Sequence, residues 1–219
     1  MKTNPTPPLQ DRKTVGTELA KRLARYSRNE QVIVLSLPNG SIPLGADVAA
    51  SLHKPFDVLF VGKITAPGCG GMALGSITGG GVRVINAALA DRLRLGKTEI
   101  NAAVLQGALK LARRERSCRG HHLPLQISEH TVILIDDGST PCAVLRDAIR
   151  LLRRQHAERV VVAFPTACRP TVFDMGMEAD EVVTLDECPG TWFEKLPPLT
   201  DAEIRQFLAG SLSTADTSN

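Results

Sequence analysis

Residues 131–154, with the sequence TVILIDDGSTPCAVLRDAIRLLRR, constrain the fold of this chain more than any other segment. Five apolar or β-branched residues run directly into two adjacent carboxylates, Asp136 and Asp137, and a hydroxyl-rich turn then leads into a helical pattern. This order predicts a buried strand, an acidic tip, a loop and a helix N-terminus. The two carboxylates should therefore lie at the carboxyl end of a strand, where open α/β sheets bind their ligands.

The rest of the chain alternates between strand and helix patterns. Helices are predicted at 11–26, 43–52, 98–119, 141–156 and 201–208, and strands at 31–37, 56–64, 131–135, 159–164 and 181–185. Three consecutive glycines within 76–86 predict a hairpin, and Thr98 is the expected cap of the long helix. Such alternation is typical of an α/β fold with one doubly wound, mostly parallel sheet flanked by helices.

Length and composition favour one domain, residues 11–209, between polar ends at 1–10 and 210–219 that we expect to be mobile. The hydrophobic content of 43% supports a sizeable core, and the net charge of +3 does not indicate nucleic-acid binding. No apolar run approaches the ~20 residues that span a bilayer. The five cysteines form no CxxC pair, and the amino terminus has no hydrophobic signal core. These features favour the cytoplasm.

The acidic turn resembles the phosphoribosyl pyrophosphate (PRPP) loop of type I phosphoribosyltransferases. In that family, two acidic residues follow a hydrophobic strand and precede a Thr-Gly-x-Thr phosphate loop. Similarity to a bacterial phosphoribosyltransferase-like subgroup extends over nearly the whole chain, through DRKTVGTELAKRL, LSLPNGSIPLGADVAASLHKPFDVLFVGKI, ALGSI, RRERSCRG, AFPTA, DEVVTL and GTWFEKLPPLTDAEI. The resemblance implies the family's α/β fold with a glycine-rich hood over the substrate.

The resemblance also implies site residues. Asp136 and Asp137 match the acidic pair that holds the ribose hydroxyls and magnesium, and Gly138 matches the residue after it. Ser139 and Thr140 supply hydroxyls nearby. The alternative is that the two carboxylates only cap neighbouring N–H groups at the end of the strand.

The phosphate loop departs from the family pattern at three positions. Pro141 removes a backbone N–H, Cys142 stands where the family has glycine, and Val144 replaces a hydroxyl by a methyl group. A phosphate cradle needs exposed N–H donors and small residues, so phosphate binding should be weakened. An alternative is that Thr140 and Pro141 simply begin a helix, as N-cap and first helical residue.

The other phosphate-handling loops are altered too. The subgroup's Pro-Arg-Gly-Gly is here PNGS, so Asn39 lacks the charged fork of arginine, whereas Gly40 still permits an unusual backbone angle. Of an Arg-Lys pair only Lys63 survives, and Met72 replaces an acidic residue in the hood. Asn39, Gly40 and Lys63 are therefore weaker candidates for phosphate contacts.

Several other features are open to two interpretations. Trp192 and Phe193 either stack a base or anchor the carboxyl-terminal tail, and the loop histidines His121 and His122 lack zinc-site spacing. Cys142 at a helix N-terminus is a candidate reactive thiol. Two helices present basic faces, which are usually solvated rather than bound to RNA; the first comprises Lys110, Arg113, Arg114, Arg116 and Arg119.

Two hypotheses about function follow. The first is a catalytically silent phosphoribosyltransferase-fold protein that weakly binds a nucleotide or ribose phosphate, or engages a protein partner or a second copy of itself. The second is a working PRPP-dependent transferase with an atypical phosphate loop and magnesium as its cofactor. Departures in all three phosphate-handling loops favour the first hypothesis.

Overall fold

The computed structural model describes residues 12–186 and 199–212. In chain order the elements are α1 (Arg12–Arg22), a 3-10 turn (Ala24–Tyr26), β1 (Val32–Ser36), α2 (Ser41–Leu52), β2 (Phe56–Val58), β3 (Val61–Thr65), β4 (Ala73–Thr78), β5 (Arg83–Ile85), α3 (Ala87–Arg92), α4 (Lys97–Arg119), β6 (Thr131–Ile135), α5 (Cys142–Arg154), β7 (Arg159–Thr166), α6 (Arg169–Gly176), β8 (Glu181–Asp186) and α7 (Asp201–Leu212). Within these ranges, none of the helices has the length and hydropathy needed to cross a membrane.

The core is a five-stranded parallel sheet in the order β2-β1-β6-β7-β8. Its central strands read as continuous apolar runs because helices cover both faces of the sheet. One face packs against α1, α2 and α7, through residues such as Leu19, Val48 and Ile204. The other face packs against α5 and α6, through Ile149 and Met175 among others. The predicted doubly wound α/β fold is confirmed.

The predicted strand over 56–64 is wrong, because the segment divides into two strands in different sheets. β2 pairs with β1 and ends level with it, where the N–H of Leu59 donates to the carbonyl of Ser36 at 2.8 Å. Leu59 and Phe60 are buried as the chain leaves the main sheet, and β3 then pairs with β4. A pattern of continuous burial cannot distinguish one strand from two that follow each other.

β3, β4 and β5 form a separate antiparallel sheet, and the predicted glycine hairpin connects β4 to β5. This small sheet is hydrogen-bonded to α5 at two positions along the helix. Near the middle of the helix, the Ser76 hydroxyl donates to the Asp147 carboxylate at 2.5 Å. Near its end, the side-chain amide of Gln155 donates to the Thr78 hydroxyl at 3.4 Å.

The long helix α4 differs from the sequence prediction at its start and on its face. It begins at Lys97 instead of at Thr98, and the N–H of Gly96 donates to the Glu99 carboxylate at 2.8 Å. Leu105, which the helical spacing of apolar residues in this segment predicts to face inward, is 58% exposed. The helices α3 and α6 were not predicted, because six and eight residues are too few to establish a helical period.

Arg119 does not lie on a solvated basic face as predicted, but is buried in an ion pair at the end of α4. Its guanidinium lies 2.6 Å from the Asp57 carboxylate and 2.9 Å from that of Glu115, and it also donates to the carbonyl of Val58. The second oxygen of Asp57 accepts the N–H of Leu125 at 2.9 Å. These bonds attach α4 and the loop after it to β2.

We expect Arg119→Ala to lower the free energy of unfolding by about 3–5 kcal/mol, because Asp57 would remain buried without its charge partner. Urea unfolding measures the change. The exposed Arg116 on the same helix is the control, and Arg116→Ala should change stability by less than about 0.5 kcal/mol. The double variant Asp57→Asn, Arg119→Met should recover much of the loss. A loss below about 1 kcal/mol for Arg119→Ala would contradict this account.

Candidate functional site

Most of the predicted site residues lie where β1 and β6 end side by side. The two strands are parallel and in register, with Ser36 opposite Ile135. Asp136 follows β6 directly, and Asn39 lies in the short loop between β1 and α2. The connections from β1 and β6 run to opposite faces of the sheet, and ligands bind at such a switch point in α/β folds.

Asp136 is fully buried, so it is the member of the predicted ribose-binding pair that solvent does not reach. Its Oδ1 accepts the N–H of Gly138 at 2.8 Å and, more weakly, the N–H of Thr140 at 3.5 Å. Its Oδ2 accepts the hydroxyl of Thr140. The carboxylate therefore holds the following loop in place from inside the protein.

Thr140 connects this loop to the end of β1. Its hydroxyl oxygen accepts the side-chain N–H of Asn39 at 2.8 Å, while its hydroxyl proton is donated to Asp136. The Asn39 side-chain oxygen in turn accepts the N–H of Ser41, at 2.9 Å. Asn39, Thr140 and Asp136 thus form one hydrogen-bonded chain across the two strand ends. The sequence selected these residues as candidates for ligand contacts, and did not predict that they bond to one another.

Asp137 is the member of the acidic pair that reaches the surface. It is half-buried, and its Oδ1 accepts the N–H of Ser139 at 3.0 Å. The next residues, Gly138 and Ser139, are exposed. The N–H groups of Gly138, Ser139 and Thr140 therefore all donate to carboxylates of this chain, in the turn that leads into the predicted phosphate loop at 141–144.

Gly138 is required by the geometry of the turn. It has a φ of 85°, a left-handed conformation that residues with a Cβ rarely adopt. A Cβ at this position would also lie 2.8 Å from the carbonyl oxygen of Thr166 at the end of β7. The loop after β6 and the end of β7 consequently touch through backbone atoms.

The helix after the loop begins one residue later than predicted. Pro141, with φ −57° and ψ 137°, occupies the N-cap position of α5, and its carbonyl accepts the N–H of Val144 at 2.9 Å. Thr140 does not cap the helix, because its hydroxyl is bonded to Asp136. The prediction of Thr140 as N-cap is therefore wrong.

A cavity of about 250 Å³ opens beside this loop. Gly138 and Thr140 line one side, and Thr166, Cys168 and Thr171, from the end of β7 and the start of α6, line the other. Sequence reasoning missed the second set, although their position after a buried strand is the signal that selected Asp136. The strand was placed two residues too short, and the helix after it was not recognised.

The remaining predicted site residues have ordinary surroundings. Gly40 has a φ of −61°, so the unusual backbone angle expected there is absent. Lys63 lies on β3, where its ammonium group donates to the carbonyl of Gly71 at 2.5 Å. A phosphate contact by Lys63 stays a prediction. His121 and His122 are exposed, and Trp192 and Phe193 lie outside the described residues.

The acidic pair fits magnesium only in part. Mg²⁺ usually keeps several waters and takes one or two carboxylates together with the oxygens of its ligand. Asp136 is buried and bonded to N–H and O–H donors, which leaves Asp137 as the carboxylate placed to hold a hydrated ion. Residues 12–186 and 199–212 contain no group of three or more His, Cys, Asp or Glu side chains arranged to bind a metal.

Burial raises the pKa of Asp136 from 3.8 to about 6, and the nearby charge of Asp137 acts in the same direction. The hydrogen bonds from Thr140 and Gly138 oppose the rise, because they stabilise the charged form. A carboxyl group whose pKa is raised by folding stabilises the protein while protonated. That stability is lost as the pH rises from about 4 towards 7.

Comparison with known proteins identifies relatives in sequence and in structure. No protein-family model matches the chain. The chain is 32% identical over 203 residues to a Mycobacterium tuberculosis protein named "putative phosphoribosyl transferase", found in strains CDC 1551 and H37Rv. The match covers 90% of this chain but only 46% of the relative, so the chain spans about half the length of the curated relatives it matches.

Among solved structures, the crystal structure of TT1426 from Thermus thermophilus matches with a TM-score of 0.73 and 26% identity, covering 93% of this chain and 98% of that one. A purine phosphoribosyltransferase from Pyrococcus horikoshii matches more weakly, with a TM-score of 0.47 and 14% identity over 86% of this chain and 93% of that one.

We expect Asp136→Asn to remove much of the pH dependence of stability between about pH 4.5 and 7.5. In the parent protein, the raised pKa corresponds to about 2 kcal/mol lost over this range. Asparagine keeps an oxygen for the N–H of Gly138 without a buried charge. Urea unfolding at three pH values measures the difference, with Asp91→Asn, which changes an exposed carboxylate in α3, as the control. Equal pH dependence in parent and Asp136→Asn would contradict the burial argument.

We expect Gly138→Ala to destabilise the protein by about 1–3 kcal/mol from the left-handed backbone conformation alone, with a further loss from the contact with Thr166. The control is Gly80→Ala, because no heavy atom lies within 4 Å of a Cβ there. Thermal unfolding of both variants gives the comparison. Equal melting temperatures would show that the turn relaxes without cost.

Proposed function

We propose that this chain, which is phosphoribosyltransferase-like in sequence and in fold, is a non-catalytic member of that class. In this proposal it binds a ribose phosphate or a nucleotide weakly, in a regulatory or assembly role. The curated relative's name supports the class, and the likeness to TT1426 supports the fold. The state of the loop after β6 supports the loss of catalysis.

The observation that carries the proposal is the use of the loop's own N–H groups. The amides of Gly138, Ser139 and Thr140 donate to Asp136 and Asp137, as an anion-binding loop would donate to a phosphate. A phosphate entering this loop must compete with two carboxylates of like charge. Pro141 adds no donor, and the Thr140 hydroxyl is held between Asn39 and Asp136.

The expected loss of affinity is large. A hydrogen bond to a charged group contributes about 1.5–3 kcal/mol, so each bond that the loop withholds lowers affinity by roughly 10- to 100-fold. Tight binding of PRPP, with its 5-phosphate and pyrophosphate, is therefore not expected. Displacement of pyrophosphate from ribose requires that both groups be held, so transferase activity should be negligible.

What the site retains suits a small sugar phosphate. Asp137 reaches the surface and can accept hydrogen bonds from ribose hydroxyls or hold a hydrated magnesium ion. The adjoining cavity, at about 250 Å³, is smaller than the range of about 300–1,000 Å³ typical of larger ligands. The Thr166 and Thr171 residues that line it supply further hydroxyl groups.

The alternative is an active PRPP-dependent transferase with an atypical phosphate loop. The retention of both aspartates at a strand end favours it, because a pure scaffold does not need Asp137 at the surface. In that case the carboxylates release the loop N–H groups when PRPP binds. This alternative predicts measurable PRPP affinity in the unmodified protein.

Calorimetric titration with PRPP and magnesium, alongside ribose 5-phosphate, distinguishes the two. We expect no PRPP binding at micromolar concentrations and weak binding of ribose 5-phosphate. Asp137→Asn should weaken that binding by about 10-fold or more, through one charged hydrogen bond. Asp91→Asn, which changes an exposed carboxylate in α3, should leave it unchanged.

A second variant tests the loop directly. Pro141→Thr, Cys142→Gly and Val144→Thr combined restore a donor, a glycine and a hydroxyl, and should raise PRPP affinity. Activity assays with purine and pyrimidine bases accompany the titrations. Micromolar PRPP binding by the parent would overturn the non-catalytic proposal in favour of the transferase.

A further inference from the structure

Two cysteines meet at one hydroxyl on the rim of the cavity. Cys142 is the first residue of α5, and Cys168 is the residue that precedes α6. The Cys142 sulfur lies 3.5 Å from the Thr171 hydroxyl oxygen, and the Cys168 sulfur lies 3.1 Å from the same atom. The two sulfurs are therefore separated by no more than these two short contacts together.

The Thr171 hydroxyl has a single proton, so it can donate a hydrogen bond to only one of the two sulfurs at a time. The other thiol must then donate to the hydroxyl oxygen. Thr171 has the shorter contact with Cys168, which is exposed at the start of a helix, where backbone N–H groups favour a thiolate. In the direction that favours a Cys168 thiolate, the Cys142 thiol donates to the Thr171 hydroxyl oxygen and the Thr171 hydroxyl donates to the Cys168 sulfur.

Electrostatics agree with this direction. Hydrogen bonding from the Thr171 side chain, followed by its backbone N–H, lowers the pKa of the Cys168 thiol, while the more distant Asp174 carboxylate acts against it. By contrast, burial raises the pKa of Cys118 to about 11, so that thiol stays protonated at neutral pH. Cys168 is therefore the better nucleophile of these two.

We propose that Cys142 and Cys168 form an oxidation site, at which a peroxide converts the two thiols into an intramolecular disulfide across the mouth of the cavity. Cys168 reacts first and Cys142 resolves the product. The site adjoins the acidic loop without using either aspartate, and it gives Thr171 a role besides lining the cavity.

The chemistry balances with hydrogen peroxide as the oxidant. The Cys168 thiolate attacks one peroxide oxygen, the O–O bond breaks, and the departing hydroxide takes a proton to become water, leaving a sulfenic acid on Cys168. The Cys142 thiol then attacks the Cys168 sulfur, the S–O bond breaks, and a second water leaves as the disulfide forms. Two thiols and one peroxide give one disulfide and two waters, and a dithiol reductant reverses the change.

The disulfide would restrict the cavity, since Cys168 and Thr171 line it together with Gly138 and Thr140. Bringing the two sulfurs into a bond displaces the Thr171 hydroxyl between them and draws the start of α5 towards α6. Oxidation should therefore prevent a sugar phosphate from entering. This last consequence rests on the proposed function, whereas formation of the disulfide does not.

The first experiment maps the disulfide in the 219-residue chain. The reduced protein is treated with one equivalent of hydrogen peroxide, free thiols are counted, and peptides are mapped without reduction. A Cys142–Cys168 link that dithiothreitol reverses is expected in the parent and in the control Cys69→Ser. Cys142→Ser should instead leave Cys168 as a sulfenic acid or a more oxidised form. Pairing of Cys168 with Cys188, or preferential oxidation of any other cysteine, would overturn the proposal.

The second experiment tests Thr171 by its effect on reactivity. Thr171→Val removes the hydroxyl and should slow alkylation of Cys168 by iodoacetamide at neutral pH several-fold, whereas Thr171→Ser should restore the parent rate. Matched melting temperatures confirm that both variants are folded. Equal alkylation rates in the parent and in a folded Thr171→Val would refute the assigned direction.

A third measurement separates this inference from the proposed function. Ribose 5-phosphate is titrated into the reduced and the oxidised protein. If the reduced protein binds no ligand but the Cys142–Cys168 link forms, the thiol pair stands and the proposed function fails. If the ligand binds but no link forms, the opposite holds. Equal binding by both forms would overturn the closure of the cavity.

Discussion

The parallel pairing of β1 with β6 is the constraint on which the rest of the site depends. Both strands are buried on both faces, and their register brings Ser36 opposite Ile135 at the carboxyl ends of the two strands. Helices on the two faces prevent either strand from sliding, because a shift would misplace every apolar contact. The two strand ends therefore fix the positions of Asn39 and of the loop after Asp136. The Thr140 hydroxyl bonds to both Asn39 and Asp136 and so links the two segments.

The backbone N–H groups of the loop after β6 all have acceptors, as N–H groups near a protein interior generally must. In an anion-binding loop, the acceptor comes from the ligand, and the loop is incomplete without it. Here Asp136 and Asp137 supply it, so the loop is complete in the unliganded protein. The cost is a charged carboxylate held away from water, which is visible in the raised pKa of Asp136.

The fold was predictable from the sequence because buried strands and amphipathic helices leave local patterns, and the acidic turn marked the correct strand end. The prediction failed where contacts between distant residues decide the outcome. From the sequence, Arg119 is indistinguishable from the surface cations around it. Its ion pair with Asp57, 62 positions away in the chain, is visible only in the fold. Thr140 reads as a helix cap, and only the position of Asn39, 101 positions away, reveals its other use. The proximity of Cys142 to Cys168 likewise depends on how α5 and α6 lie on the sheet.

The attachment of the small sheet to α5 makes this helix a mechanical link. α5 has 13 residues, so it is a rod about 20 Å long. Its first turn adjoins the cavity, while Asp147 and Gln155 hold Ser76 and Thr78 of the antiparallel sheet. Since a hydrogen-bonded helix moves as a unit, a displacement at its first turn carries the small sheet with it or breaks these bonds, together with the one that Arg154 donates to the carbonyl of Arg83. The helix α5 thus connects the cavity to the hairpin as one rigid element.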